Sequence, residues 1–395
     1  MKVSVIIPAY NAAGTIADTL QSLLDQTFTE WEAIIVDDGS TDDTSVIVNK
    51  FIEKDSRFRI IKQTNQGLSG ARNSGITHAR YNWLLFLDAD DWIFPQHLNR
   101  LTSALKVDPG LKVVYCGWTY VTPDGEHVFP RFANLEGDLF VAFAQYCVSV
   151  VHTFIISRSL VELHGCFENS HRSCEDWDLF QRIARTGIRF GAVNEILAGY
   201  RMRPDSLSRN GHQLLVDGIK VLNRGHGPDL RVPYSHPVYP NGLPRDKLTK
   251  NKYDLLYACA GYLIGGEKDA RSLLEMLKDE RCPDLNANEV ASCLFTHTIV
   301  SAARPRSEWY RVWSRCEYQL KTFLEALEMQ TGTAGLTRRA TLYVKHLILK
   351  HATDPSLYRR FDYFKDGLFF GMLKLLHKSH RTIRQLVHFC RKHYV

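Results

Sequence analysis

Apolar and polar positions alternate in blocks along the first two hundred residues. Residues 2–9 (KVSVIIPA) form a β-branched run with Pro8 at its end, which reads as a strand. Ile16, Leu20, Leu23 and Leu24 follow at helical spacing and predict a helix over about residues 15–26. WEAIIV (31–36) is a second buried strand, and the polar run from Asp37 to Thr44 leads into a helix over about 41–54. FRIIK (58–62) is a third strand, a helix follows through Ala71 and Ile76, and residues 83–87 are a fourth strand. Runs apolar at nearly every position belong to strands covered on both faces. Strand and helix alternating through short connections predict a parallel sheet with right-handed crossovers.

Further on, the pattern predicts a helix over 95–106, a strand over 112–120, a turn at 122–125 and an irregular loop over 129–137. Residues 139–157 carry no charge and are long enough to span a bilayer. Gln145, Ser149, His152 and Thr153 interrupt them, and a helix followed by a buried strand is the expected reading. A helix begins at Glu175 and Asp176, acids suited to a first helical turn. Residues 192–203 are a last strand. The character then changes: 225–244 is rich in Pro and Gly, and 254–277, 287–303 and 308–329 look helical. The expected organisation is an α/β domain over 1–213, a linker over 214–252 and an α-helical region over 253–395.

Composition changes this picture in two places. Hydrophobic residues make up 45% of the 395 and charged residues 23%, ordinary values for a globular protein. Nine cysteines without a C-x-x-C pair indicate neither a zinc site nor a disulfide framework, and no signal-peptide pattern opens the chain; a cytoplasmic location is expected. The net charge of +6 is uneven, with +10 carried by residues 331–395 and −4 by the rest. Near the end, Leu368, Phe369, Met372, Leu375 and Leu376 interleave with Lys374, Lys378, Arg381 and Arg384. This basic amphipathic tail is expected to pack on its own domain or a protein partner, or to lie on an anionic membrane at its inner face. Nucleic acid is not expected as a partner, since no recognition motif accompanies the charge.

Three of the four N-terminal strands end in polar turns: Pro8-Ala9-Tyr10-Asn11, Asp37-Asp38-Gly39-Ser40 and Asp88-Ala89-Asp90-Asp91. Ligands of open α/β sheets bind just past the carboxyl ends of the strands, so these turns should line one crevice. Asp88 and Asp90, one residue apart off a strand end, can share a hard divalent cation whose other oxygens come from phosphates. The G-x-G-x-x-G fingerprint of dinucleotide folds is absent from the sequence.

In order, the motifs are Val5-Ile6-Ile7-Pro8-Ala9-Tyr10-Asn11, Val36-Asp37-Asp38-Gly39-Ser40, Gly67-Leu68-Ser69-Gly70-Ala71-Arg72-Asn73, Phe86-Leu87-Asp88-Ala89-Asp90-Asp91 and Cys174-Glu175-Asp176-Trp177. Over about residues 1–210 this resembles the inverting glycosyltransferases of family 2, which have the GT-A fold. The resemblance implies an α/β nucleotide-diphospho-sugar transferase fold, a mostly parallel Rossmann-like sheet, followed here by the helical region. It implies a nucleotide sugar, most often UDP-linked, an acceptor hydroxyl on a glycan, lipid-linked glycan or protein, and Mn2+ or Mg2+. Pro8, Tyr10, Asn11 and Asp38 would hold the base and ribose, with Gly67, Arg72 and Ala89 flanking the nucleotide. Asp90 would bind the metal, with Asp88 on the ribose or the metal. Arg72 could pair with Asp88 or face phosphate, and Asp91 would support the turn. Asp176 would be the general base, Glu175 its support, Trp177 core or acceptor platform, and Asp178 structural. Arg203 departs from the pattern, since many relatives carry a metal-binding His there and a guanidinium has no lone pair for a metal. With Ser206 and Ser208 it would clamp the diphosphate instead. A catalytically weak nucleotide-sugar-binding module, assembled through its helices, is the alternative; Asp38, Asp88, Asp90 and Asp176 occurring together argue against it.

Overall fold

The four N-terminal apolar runs become strands β1 (Val3–Ala9), β2 (Trp31–Asp37), β3 (Phe58–Lys62) and β4 (Trp83–Phe86), joined by helices α1 (Ile16–Leu24), α2 (Thr44–Lys54) and α3 (Gly67–His78). A computed structural model describes residues 1–352 apart from 204, 205, 207, 208 and 283. β1 lies between β2 and β4, with β3 outside β2, all parallel. Every residue of β1 and β2 is buried, as two covered faces require. α3 comes so close to β1 that the Ile6 side chain fills the place a Cβ on Gly75 would take.

The sheet continues through β5 (Trp92–Ile93), α4 (His97–Val107), β6 (Val113–Val121), β7 (His127–Arg131), β8 (Gly137–Asp138), α5 (Phe140–Phe143), β9 (Phe154–Ser157), α6 (Arg158–Leu163), α7 (Glu175–Ala184) and β10 (Arg189–Arg201). The strand order is β3-β2-β1-β4-β9-β6-β10-β5, with β7 on β6 and β8 on β10. β6 and β10 are parallel, whereas β9 runs antiparallel to both its neighbours. The fold is therefore the mostly parallel α/β sheet that was expected, with one reversed strand in its middle. An apolar run such as FIIS carries no direction of its own; the connections on either side set it. The stretch 129–137, expected to be irregular, instead opens in β7, which forms a hairpin on β6. One core runs through the sheet and its covering helices, from Ile6, Val36 and Phe86 to Phe154, Phe180 and Ile183.

Five helices follow: α8 (Gly211–Gly225), α9 (Leu248–Gly265), α10 (Ala287–Ala302), α11 (Trp309–Thr331) and α12 (Leu336–Ala352). α8 occupies the start of the stretch read as a linker. Asn210 caps it by accepting from the Gln213 N–H at 3.2 Å, and Leu215, Gly218, Val221 and Leu222 bury one face at helical spacing. α9 and α10 meet at Gly261, where a Cβ would stand 2.7 Å from the His297 Cβ. Trp309 of α11 stacks on Phe129 of β7 with ring centres 6.3 Å apart. The sheet and the helices through α11 lie in one compact unit, Met1–Val344. The expected boundaries near 213 and 252 fall inside it. The basic amphipathic stretch at 368–389 lies outside the described residues. Among the described residues no helix is long and apolar enough to cross a membrane.

Candidate active site

Two cavities open at the carboxyl ends of the central strands, and they share Leu68, Asp88 and Tyr200 as a common border. The smaller, about 380 Å³, takes Pro8, Tyr10 and Asn11 from the end of β1, Asp38 from the end of β2, Gly67 and Ala71 from α3, Ala89, Asp90 and Asp91 from beyond β4, and Arg203 and Ser206 from beyond β10. The larger, about 820 Å³, is entered by Arg72, Glu175 and Asp176. Asp38 and Asp90 thus share one cavity, and Asp176 lines its neighbour. Ser208 lies outside the described residues.

In the smaller cavity the turns brace one another. Asn11 adopts a left-handed conformation with φ +49°, which asparagine tolerates. Its Oδ1 accepts from the Thr41 N–H at 2.8 Å, and its own N–H donates to Ser40 Oγ at 3.0 Å, locking the first turn to the second. The adjacent Asp37 and Asp38 have different contacts. Asp37 accepts from the Ser40 N–H at 2.9 Å and from Ser45, holding the start of α2. Burial alone would raise its pKa, but those hydrogen bonds and Lys62 hold it below the usual carboxylate value. Asp38 lines the cavity instead, accepting from Gln63 Nε2 at 2.7 Å and from the N–H groups of Gln66 at 2.8 Å and Gly67 at 2.9 Å. A carboxylate offers about four acceptor sites, so one remains. Tyr10 is 54% exposed at the cavity. Ala89 is buried, and its carbonyl accepts from Thr15 Oγ1 at 2.9 Å.

Beyond β4 three carboxylates crowd together. Asp91 is buried: Oδ1 accepts from the Arg201 N–H at 2.7 Å and Oδ2 stands 3.1 Å from His152 Nδ1. Burial disfavours a charged His152, but Asp91 outweighs it and holds the imidazole above its ordinary pKa. Asp91 therefore supports the turn, as expected, through a histidine that had no sequence signal beyond its place in an uncharged stretch. Asp90 keeps about 30% of its side chain exposed and lies 3.7 Å from Arg203 Nε. Burial and the neighbouring Asp91 and Asp88 push its pKa up to about 7 against the pull of Arg203. A divalent cation would relieve this like-charge crowding, and Asp88 and Asp90 carry the carboxylates that could hold one. Among the described residues no group of three or more His, Cys, Asp or Glu side chains is arranged to hold a metal. Two carboxylates alone could hold a hard cation only if phosphate and water supplied its other oxygens. The Arg203 N–H donates to Ser206 Oγ at 3.0 Å, which ties the arginine's backbone to the same loop.

Arg72 joins the two cavities. Almost wholly buried, it donates from Nη2 to Asp88 Oδ1 at 2.6 Å and from Nη1 to Glu175 Oε1 at 2.5 Å. Of the two expectations for Arg72, pairing with Asp88 is the geometry found. Burial would lower its pKa, but Asp88, Glu175 and Asp176 more than offset that. Cys174, at φ +60°, turns the chain into α7 so that Glu175 and Asp176 open the helix. Asp176 lines the larger cavity. Burial and Glu175 push its pKa up to about 7, against the opposing charge of Arg72. Trp177 turns into the core and donates from Nε1 to the Phe143 carbonyl at 2.6 Å. Asp178 accepts from Arg182 at 3.0 Å, Arg224 at 2.8 Å and Arg231 at 2.9 Å. Arg224 and Arg231 went unnoticed in the sequence because they act across about fifty positions. So did Tyr262 and His297, which line the larger cavity from α9 and α10.

Known proteins with a like sequence are glycosyltransferases. The profile of Glycosyl transferase family 2 matches residues 4–161. The UDP-Glc:alpha-D-GlcNAc-diphosphoundecaprenol beta-1,3-glucosyltransferase WfaP of Escherichia coli is 32% identical over 221 residues, covering 56% of this chain and 85% of WfaP. The uncharacterized glycosyltransferase EpsJ of Bacillus subtilis is 31% identical over 226 residues, 54% of this chain and 65% of EpsJ. The chain thus spans slightly less than two thirds of EpsJ. Among solved structures, Staphylococcus aureus TarS superposes with a TM-score of 0.48 at 18% identity, covering 83% of this chain and 55% of TarS. The chain belongs to glycosyltransferase family 2.

Proposed function

We propose that this protein is an inverting glycosyltransferase that moves a sugar from a UDP-linked donor to an acceptor hydroxyl. The observation that carries the reading is the shared border of the two cavities: Asp38 and Asp90 line one, Asp176 lines the other, and Asp88 faces both. In this reading the base lies against Tyr10, and its ring N–H takes the acceptor site left on Asp38. Pro8, Asn11, Gly67 and Ala89 shape the nucleotide's bed. Arg203, with Ser206, faces the diphosphate, where a guanidinium can bond two oxygens at once. Mn2+ or Mg2+ held by Asp90 and Asp88 would supply Lewis-acid stabilisation of the leaving diphosphate. Asp176 accepts the proton of the acceptor hydroxyl as its oxygen attacks the anomeric carbon. A carboxylate tuned near neutral pH suits that task. Attack comes from the larger cavity while the diphosphate leaves into the smaller one, so a single displacement inverts the anomeric centre. Arg72 keeps Glu175 and Asp88 apart from the proton transfer and fixes the start of α7.

The acceptor class follows from likeness: WfaP, by its name, glycosylates a diphosphoundecaprenol-linked saccharide, and we extend a lipid-linked saccharide acceptor to this chain. Location at the cytoplasmic face of a membrane belongs to the same reading. Release of UDP from a UDP-sugar panel tests the proposal. Asp176→Asn should lower turnover by about a hundredfold or more, and Asp90→Ala should weaken donor use. Unchanged turnover in both variants would reject it.

A further inference from the structure

The larger cavity is walled on one side by helices that the sheet does not supply. On α9, Asp254, Leu255, Ala258 and Tyr262 face it at the spacing of one helical face, and on α10 Cys293 and His297 do the same, four residues apart. These positions follow the strands of the fold and carry none of its motifs. We infer that α9 and α10 form the outer half of the acceptor site and bind a second sugar unit of a saccharide acceptor, with His297, Tyr262 and Asp254 as the residues that select it. The inference rests on the transferase reading of the same cavity.

Four observations support it. The cavity's volume of about 820 Å³ falls in the range of ligand clefts, roughly 300–1,000 Å³, and exceeds what one sugar ring would fill. Its lining mixes aromatic faces with separated polar groups. Trp118, Tyr200 and Tyr262 offer flat apolar surface, while Arg131, Asp254 and His297 offer hydrogen-bonding groups among them. Sugar rings present apolar C–H faces edged by hydroxyls, and this alternation matches them. A long hydrocarbon chain would be met instead by polar groups it cannot satisfy.

His297 is prepared as an acceptor. Its Nδ1 donates to the Cys293 carbonyl at 2.8 Å, which leaves Nε2 with a lone pair. Burial, with Arg131 nearby, keeps the ring neutral. Tyr262 packs edge-on to it, with ring centres 5.1 Å apart. The wall is also fixed relative to the chemistry. Gly261 lets α10 close on α9, and a Cβ on Gly218 of α8 would meet Leu255 of α9 at 2.6 Å and Trp177, beside Asp176, at 3.3 Å.

The test uses the full chain saturated with UDP and saturation-transfer NMR against mono-, di- and trisaccharides of glucose, galactose and N-acetylglucosamine, with decyl phosphate as the lipid probe. Di- or trisaccharides should bind the wild type at least fivefold more tightly than monosaccharides. His297→Ala should weaken that binding tenfold or more, and the isosteric Tyr262→Phe about threefold, with UDP affinity unchanged in both. Melting temperature checks that His297→Ala is folded, and Tyr262→Phe preserves the packing in any case. Equal binding of mono- and oligosaccharides, saccharide binding indifferent to both substitutions, silence of all saccharides, or binding of decyl phosphate alone would each overturn the inference. Failure of UDP to raise the melting temperature of the wild type would instead strike the transferase reading itself, so the two failures are distinguishable.

Discussion

Arg72 shows how much a single side chain decides here. It is buried between Asp88 of one cavity and Glu175 of the other, and removing it would leave two carboxylates facing each other without a cation. Arg72→Ala is expected to cost about 3–5 kcal/mol of stability, the usual consequence of breaking a buried ion pair from one side. Urea unfolding of the two proteins measures it, and a loss under 1 kcal/mol would mean that the carboxylates find other partners. If Asp176 is the base, as we propose, its titration should set the pH dependence of catalysis. With its pKa pushed up to about 7, the carboxylate is protonated and unable to accept a proton below that value. Transfer should therefore fall about tenfold per pH unit on the acid side of 7. A kcat/KM profile flat from pH 5.5 to 8 would remove Asp176 from the role of base. Both acids were legible in the sequence as motif members. The partnership of Arg72 with Glu175 was not, because 103 positions separate them and nothing local to either names the other.

Helix α7 brings two acids to the larger cavity. Its first turn carries Glu175 and Asp176, and its second residue pair is anchored from behind by Asp178 among Arg182, Arg224 and Arg231. Burial would raise the pKa of Asp178, but the neighbouring His171, hydrogen bonds from Arg231 and the charges of Arg182 and Arg231 prevail and hold it well below the carboxylate range. A depressed folded-state pKa contributes stability that is present above the unfolded value, about 3.9, and is lost as pH falls below it. Asp178→Asn should therefore destabilise the protein at pH 7 and flatten its loss of stability below pH 4; thermal melts between pH 3 and 7 would show both effects or neither. At the other end of the sheet, α3 rests on β1 at Gly75. Gly75→Ala places a methyl group on Ile6 and should cost about 1–3 kcal/mol by overpacking. An unchanged melting temperature would show that β1 and α3 can part without loss. Strands and helices of the first hundred residues were readable to within a few positions, because two-sided burial writes continuous apolar runs. The reversal of β9 was not readable, since a short apolar strand fits either direction.

At the scale of the whole molecule, the sheet supplies the smaller cavity, and the helices after β10 complete the larger one. Donor binding should then stabilise the fold as a unit. UDP at a hundred times its Kd is expected to add about 2.7 kcal/mol, and chelation of divalent ions should reduce the gain. Arg203 lies beside Asp90, so Arg203→Ala should make that gain depend more steeply on added Mn2+. Thermal shifts in UDP with and without Mn2+ measure all three quantities, and a shift indifferent to both ion and substitution would exclude the diphosphate from this cavity.

Local sequence by itself determined the α/β architecture, the strand ends where polar turns gather, and acids that line the two cavities. It could do so because burial, turn geometry and charge act over a few neighbouring residues. Tertiary structure alone decided that Asp38 rather than Asp37 lines the cavity, that Arg72 bridges its two halves, that the stretch once read as a linker begins with a packed helix, and that α9 and α10 wall the second cavity. Those are contacts between residues tens to hundreds of positions apart. Their energies arise only when the chain has already brought them together.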